Sequence, residues 1–199
     1  MKVGLFDADG VLTLPEEMFS QIYARTHGMN PERFSQFFQQ QFPAAIIGEA
    51  DLKELIELNR DVWQYDGDID LLLEQWFAGE NIRNEELLGY IKKLRANGTP
   101  CYLATNQEKY RAAYMKEKMF AGEFDGFFVS AELGVKKPDA AFYQKVLEQL
   151  QQNHPGLQAS DVVFFDDTMG NIDGALQLGI DAHYYEHFEQ VKTAFAPKA

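Results

Sequence analysis

Four short runs of this chain carry no polar alternation: Val3–Phe6 and residues 101–104, 127–129 and 162–165. A strand with one face in water alternates apolar and polar residues. A strand apolar throughout is buried on both faces, as in parallel sheets covered by helices. A weaker run lies at 182–185. Helical patterns fill the spaces between runs. Asn84 is placed to cap a helix whose apolar stripe is Leu87, Leu88, Ile91 and Leu94, with Gly98 as its stop. Phe142, Val146 and Leu150 keep helical spacing, as do Ile172, Ala175 and Leu176 ahead of Gly179. Strand and helix alternate from residue 84 onward, which predicts an α/β fold with a parallel sheet and right-handed crossovers.

Residues 14–82 break that alternation and offer no strand. Met18, Ile22 and Tyr23 form one helical stripe, ended by Gly28. Asn30 and Pro31 supply a cap and first-turn signal for a helix bearing Phe34, Phe37 and Phe38. Asp51 with Glu54 resembles a capping box ahead of Leu52, Leu55 and Ile56. Ile69, Leu72, Leu73, Trp76 and Phe77 make a further stripe. The expected organisation is a core domain from 1–13 and 83–199, with a helical domain from 14–82 inserted after the first strand. The segment Phe188–Phe195 is expected to be a last helix that frays.

Charge narrows the partners. The net charge is −13, which argues against nonspecific binding to nucleic acid or anionic membranes, since both need basic patches. Residues 14–82 hold 13 acids against Arg25, Arg33, Lys53 and Arg60, a net −9. Cys101 is the single cysteine, which excludes a disulfide framework and suits a reducing cytosol. Charge at Asp7 comes too early for a signal peptide. No apolar run nears the roughly 18 residues of a membrane helix. A cytoplasmic protein with no membrane contact is expected.

Ligands of open parallel sheets bind beyond the carboxyl ends of the strands. The informative residues are therefore Asp7 and Asp9 after the first run, Thr105 and Asn106 after the second, Lys136 and Lys137 after the third, and Asp166 and Asp167 after the fourth. Phe6-Asp7-Ala8-Asp9-Gly10-Val11-Leu12-Thr13 resembles the first motif of the haloacid dehalogenase-like (HAD) superfamily. Leu103-Ala104-Thr105-Asn106 resembles the second, and Gly134-Val135-Lys136-Lys137-Pro138-Asp139 the third. Val163-Phe164-Phe165-Asp166-Asp167 followed by Asn171 resembles the fourth. Four ordered matches at strand ends are far more specific than a lone Asp-x-Asp-Gly. The resemblance implies a Rossmann-like core with an inserted α-helical C1 cap. Within that cap, Gly48-Glu49-Ala50-Asp51 resembles a segment of the sugar-phosphatase-like branches.

The resemblance also implies roles. Asp7 would be the nucleophile that forms an aspartyl-phosphate. Asp9 would be the general acid and base, with its main-chain carbonyl on the metal. An acid at this position favours phosphoryl transfer over dehalogenation, because halide leaves without a proton. Thr105 and Asn106 would bind the transferring phosphoryl group, Asn106 through its backbone or amide. Lys137, directly before the proline, would offset the charge of Asp7 and phosphate, which leaves Lys136 as a solvated charge. Asp7, Asp9 and Asp167 would hold Mg²⁺, a hard cation suited to oxygen ligands, with Asp166 and Asn171 behind them; the roles of Asp166 and Asp167 stay exchangeable. His27, His154, His183 and His187 lack metal-ligand spacing, and Cys101 reads as core.

The function expected from this set is a Mg²⁺-dependent phosphatase of a small phosphorylated metabolite. The cap's −9 predicts a neutral leaving group, such as a sugar or polyol, over one with a second phosphate. The same residues would serve a sugar phosphomutase of the β-phosphoglucomutase kind, which protects the aspartyl-phosphate from water. A non-catalytic HAD-like binding or regulatory protein is the reading if a catalytic position were lost, yet Asp7, Asp9, Thr105, Lys137 and Asp167 are all present.

Overall fold

The computed structural model describes residues 1–28 and 31–196. Among them, five parallel strands form one sheet in the order β3-β2-β1-β4-β5. These are β1 (Val3–Phe6), β2 (Cys101–Thr105), β3 (Gly126–Val129), β4 (Val162–Asp166) and β5 (Asp181–Tyr184). The helices α1 (Phe19–Thr26), α2 (Pro31–Gln40), α3 (Phe42–Ile46), α4 (Leu52–Leu58), α5 (Arg60–Trp63) and α6 (Ile69–Gly79) follow β1. Then come α7 (Glu85–Ala96), α8 (Lys109–Tyr114), a π-helical turn at Met115–Met119, α9 (Ser130–Leu133), α10 (Ala140–Asn153), α11 (Met169–Leu176) and α12 (Phe188–Phe195).

The apolar runs split by the twofold period of a strand. Phe6, Leu103, Val163 and Phe165 face a core shared with α7, the π turn and α12. Val3, Leu5, Ala104, Val162 and Phe164 face the opposite core, built with α10 and α11. Burial on both sides is why these strands lack polar positions. The weaker run forms β5 at the sheet edge, where its residues are exposed or half-buried. Asn84 caps α7 through the Leu87 amide at 3.3 Å, and its side-chain amide donates to the Val11 carbonyl at 2.9 Å.

Two expectations from helical spacing are corrected. Helix α12 packs rather than frays: Val191 is buried, and Phe195 stacks on Phe6 with ring centroids 6.4 Å apart. Helix α1 buries Phe19, Tyr23 and Ala24 and leaves Met18 and Ile22 exposed. Phe19 stacks on Trp76 at 5.6 Å, and the Tyr23 hydroxyl donates to the Trp63 carbonyl at 3.1 Å. These partners rotate the helix away from its nominal stripe. The expected Asn30 cap lies outside the described residues.

Helices α1 to α6 share their own apolar core around Phe34, Phe37, Trp63, Leu72 and Trp76. Two crossings join this module to the sheet, and they run side by side: the Leu14 amide donates to Ile82, and the Asn84 amide to Leu12, both at 2.8 Å. On its far side the module touches the sheet domain through the Gly48-to-Asp51 segment. Gly48 has φ +76°, and a Cβ there would collide with the Ala131 carbonyl oxygen. The Ser130 hydroxyl donates to the Ile46 carbonyl at 2.6 Å. Asp51 caps α4 through the Lys53 amide at 2.8 Å, while accepting from the Tyr110 hydroxyl at 2.8 Å and the Lys109 ammonium at 2.5 Å.

Burial pushes the Asp51 carboxyl up, but hydrogen bonds from Lys109, Tyr110 and two backbone amides outweigh it and bring the pKa down to about 2 from 3.8. A depressed acid stabilises the fold above its unfolded pKa and loses that contribution as pH falls through the folded value. Asp51→Asn should therefore lower Tm by about 5 °C near pH 6, corresponding to about 1–2 kcal/mol. The gap to the native protein should close as pH falls from about 4 to about 2. A pH-independent gap in thermal unfolding would show that Asp51 acts through its cap geometry alone.

Candidate active site

The strand register sets the site. Phe6 pairs with Leu103 on one side and Phe165 on the other, so Asp7 emerges level with Ala104 and Asp166. The Asp7 amide continues the ladder to the Phe165 carbonyl at 2.9 Å. A cavity of about 550 Å³ opens there, lined by Asp7, Asp9, Thr105, Asn106, Lys137 and Asp167 among others. Of the other residues expected from the strand ends, Asp166 lies behind this lining against Lys137, and Lys136 is not part of it.

Lys137 is the buried centre. Its Nζ lies 2.9 Å from Asp7 Oδ1 and 2.6 Å from Asp166 Oδ2, and it donates to the Ala104 carbonyl at 2.9 Å. Burial alone would push the ammonium pKa down, but the two carboxylates hold it above its ordinary value. Burial raises the Asp7 carboxyl well above its usual range; Lys137 opposes this, while Asp166 and Asp9 add to it. The loop carrying Lys137 is fixed by Asn106: its amide nitrogen donates to the Lys137 carbonyl and its oxygen accepts from the Lys137 amide, both at 2.9 Å. The Asn106 side chain is therefore occupied in positioning Lys137.

The carboxylates of Asp7, Asp166 and Asp167 each offer an oxygen within 4.8 Å of the others. Asp166, one of the two neighbours whose roles the sequence leaves exchangeable, is thus close enough to share the cluster. The two neighbours differ in what holds them. Asp166 accepts from Lys137, from the Thr168 amide at 2.8 Å and from Asn171 Nδ2 at 2.9 and 3.0 Å. Asp167 lines the cavity, and its contact with the Thr168 hydroxyl is long, at 3.5 Å. Burial and the adjacent Asp166 raise its carboxyl pKa. Gly10, at φ +79°, makes room for it, since a Cβ there would collide with Asp167 Oδ2. Three hard oxygen donors around one ammonium leave excess negative charge, a donor set that fits a divalent cation of the Mg²⁺ type.

Asp9 is held by residues that sequence reasoning missed. Its Oδ1 accepts from Arg111 at 2.8 Å and from the Thr13 hydroxyl at 2.9 Å, and its Oδ2 accepts from Gln107 at 2.5 Å. Arg111 is 3% exposed and also pairs with Glu80, itself 2% exposed. The other Glu80 oxygen accepts from the Phe19 amide at 2.8 Å. The available signal was weak: Gln107 and Arg111 stand four apart at the start of a helix just after Thr105 and Asn106. Cys101 is core, as expected, with burial pushing its thiol up to about 12.

Four aspartates and a buried lysine gathered at the carboxyl edge of a parallel sheet place the chain among α/β proteins whose site pairs acidic groups with one buried cation. The haloacid dehalogenase-like hydrolase family model matches residues 1–179, and the chain belongs to that family. Over 91 residues it is 31% identical to the sesquiterpene phosphatase astK of Aspergillus oryzae, covering 45% of this chain and 44% of that one. It is 33% identical over 69 residues to the drimenol cyclase drtB of Aspergillus calidoustus, covering 35% and 12%. The matches thus span less than half the length of these curated relatives. Among solved structures, the HAD family enzyme bt-2542 of Bacteroides thetaiotaomicron, in complex with magnesium and inorganic phosphate, superimposes with a TM-score of 0.78 at 20% identity. That similarity covers 98% of this chain and 100% of the other, and it extends over the fold.

Proposed function

We propose that this hydrolase is a Mg²⁺-dependent phosphatase that hydrolyses a small phosphomonoester through an aspartyl-phosphate on Asp7. The observation that carries this reading is the pairing of two carboxylates with different surroundings at one cavity. Asp7 is fixed by Lys137, whereas Asp9 is half-exposed and held by Arg111 and Gln107. Asp7 attacks phosphorus, the bond from phosphorus to the ester oxygen breaks, and Asp9 delivers a proton to the leaving alkoxide. Asp9 then takes a proton from water; the water oxygen bonds to phosphorus, and the bond to Asp7 breaks to free phosphate. The ammonium of Lys137 offsets the repulsion between Asp7 and an anionic phosphoryl group. The Thr105 hydroxyl and the Asn106 amide N–H orient that group.

Asp7 and Asp167, with Asp166 behind and the Asp9 carbonyl beside them, would hold Mg²⁺, which supplies a divalent positive charge to the phosphoryl oxygens when bound. The residues at 14–82 act as the cap that shields the site from water. Support comes from the phosphatase relative in Aspergillus and from the magnesium and phosphate bound by the Bacteroides enzyme.

Phosphate release from a panel of monoesters with Mg²⁺, abolished by chelation, tests the reading; an inert protein would overturn it. Asp9→Asn tests the proton donor. Its kcat/KM for alkyl phosphates should fall by about 10²- to 10⁴-fold. Aryl phosphates whose leaving group needs no proton should lose much less. Equal losses across a series of leaving groups would remove the acid role from Asp9.

A further inference from the structure

The cavity of the carboxylates does not end at Asp9. A second space of about 520 Å³ continues under the helical module, and the two share Asp9, Met18 and Asn106 as lining. The wall of the second is aromatic. Phe34 and Phe38 come from α2, Phe42 from α3 and Trp76 from α6, with Ile46 beside them. Phe38 is the hub: its ring centroid lies 5.2 Å from Phe42 and 5.7 Å from Trp76. Phe38 and Phe42 are only half-buried, although the module's core encloses Phe34, Phe37 and Trp63 fully. Leu14 and Met18, each 45% exposed, extend the apolar surface along the mouth of the first cavity.

The polar groups at the junction are already engaged. Arg111 is paired with Asp9 and Glu80, and Gln107 donates to Asp9. Among the described residues lining this space, Arg111 is the one base, and it is already paired. The uncharged polar lining is Ser20, Gln21, Ser35, Asn106 and Gln107; Asn106 and Gln107 are engaged with Lys137 and Asp9, and Gln21 and Ser35 are solvent-exposed. A sugar seated against the aromatic wall would give up water without gaining partners for its hydroxyls. A hydrocarbon there would remove apolar surface from water on both sides.

We propose that this second cavity takes the hydrocarbon of the leaving alcohol, so that the substrate is the monophosphate of an extended apolar alcohol and not of a sugar or polyol. The assignment rests on the reading of Asp7 and Asp9 as a phosphatase site. It keeps the neutral leaving group expected from the module's acidity and replaces its polar character. Phosphorus sits among Asp7, Lys137 and Thr105, the ester oxygen faces Asp9, and the chain runs past Met18 to Phe38 and Trp76.

The test is a series of n-alkyl monophosphates from butyl to decyl, with glycerol 3-phosphate and glucose 6-phosphate as polar references. The expected result is a rise in kcat/KM of about fourfold per methylene until the cavity is filled. Both polar references should fall below the butyl ester. In Phe38→Gln the rise should flatten. The same series of alkylphosphonates, which cannot be hydrolysed, is measured by calorimetry with Mg²⁺ and should show a parallel rise in affinity. A flat chain-length series, or preference for glucose 6-phosphate, overturns the apolar assignment while the phosphatase reading stands. No phosphate release from any ester, with the phosphonate rise intact, overturns the phosphatase reading and leaves the cavity assigned. The native protein carries both series, so the outcome does not depend on the folding of the variant.

Discussion

Asp7→Asn should fold normally and lose phosphate release by about 10⁴-fold or more, to the background of the assay. The substitution keeps the shape of the side chain and removes the attacking oxygen anion. Its effect on stability has the opposite sign. Burial holds the Asp7 carboxyl well above its usual range, so the folded protein resists the charge that the chemistry needs. A raised acid contributes a penalty once it is ionised, and a neutral amide removes that penalty. Without Mg²⁺, Tm of Asp7→Asn should equal or exceed that of the native protein by a few degrees, as happens where an active site is built against stability. Phosphate release by Asp7→Asn in the presence of Mg²⁺ would strip Asp7 of its role. A large fall in Tm would mean that the pairing with Lys137 outweighs the cost of burial.

Lys137→Met carries the larger structural effect. Lys137 is 2% exposed and its ammonium lies against Asp166, which is fully buried, and Asp7, which is buried at the floor of the cavity. Removing one partner from a buried ionic cluster typically costs about 3–5 kcal/mol, because the remaining charges stay desolvated. For a chain of this length that is a drop in Tm of roughly 10 °C, together with loss of turnover. Two measurements separate charge from packing. Added Mg²⁺ should recover part of the loss, since a divalent cation offsets the same carboxylates. The double substitution Lys137→Met with Asp166→Asn should be more stable than Lys137→Met alone. If neither rescue appears, Lys137 supports the fold through its methylenes and not its charge.

Much of this site was readable before any coordinates, because parallel sheets write their ligand edge into the chain. An apolar run buried on both faces must end where the backbone leaves the core, so Asp7, Thr105 and Asp166 mark one edge. Lys137 was legible through its place before Pro138. What escaped was set by contacts across the chain. Arg111 meets Glu80 and Asp9 only after the module folds back, and nothing in the local sequence pairs them. The helix period also misplaced the face of α1, since the stripe through Met18, Ile22 and Tyr23 is helical but only Tyr23 of it is buried, beside Phe19. Aromatic neighbours on α5 and α6 decided the face. The order of Asp166 and Asp167 was open in the sequence, and hydrogen bonding separates them: one is saturated by protein donors, the other faces the cavity.

The two paired crossings between module and sheet lead, on the module side, to a single carboxylate. Glu80, just past the end of α6, receives the first amide of α1 on one oxygen and the guanidinium that grips Asp9 on the other. The joint and Asp9 are thus linked in series through Glu80 and Arg111. A rotation at the crossings that displaces Glu80 pulls on Arg111, and through it on the Asp9 carboxylate. In such a linkage the angle of the joint sets where the Asp9 carboxylate points, while Asp7, anchored to the sheet, keeps its own direction.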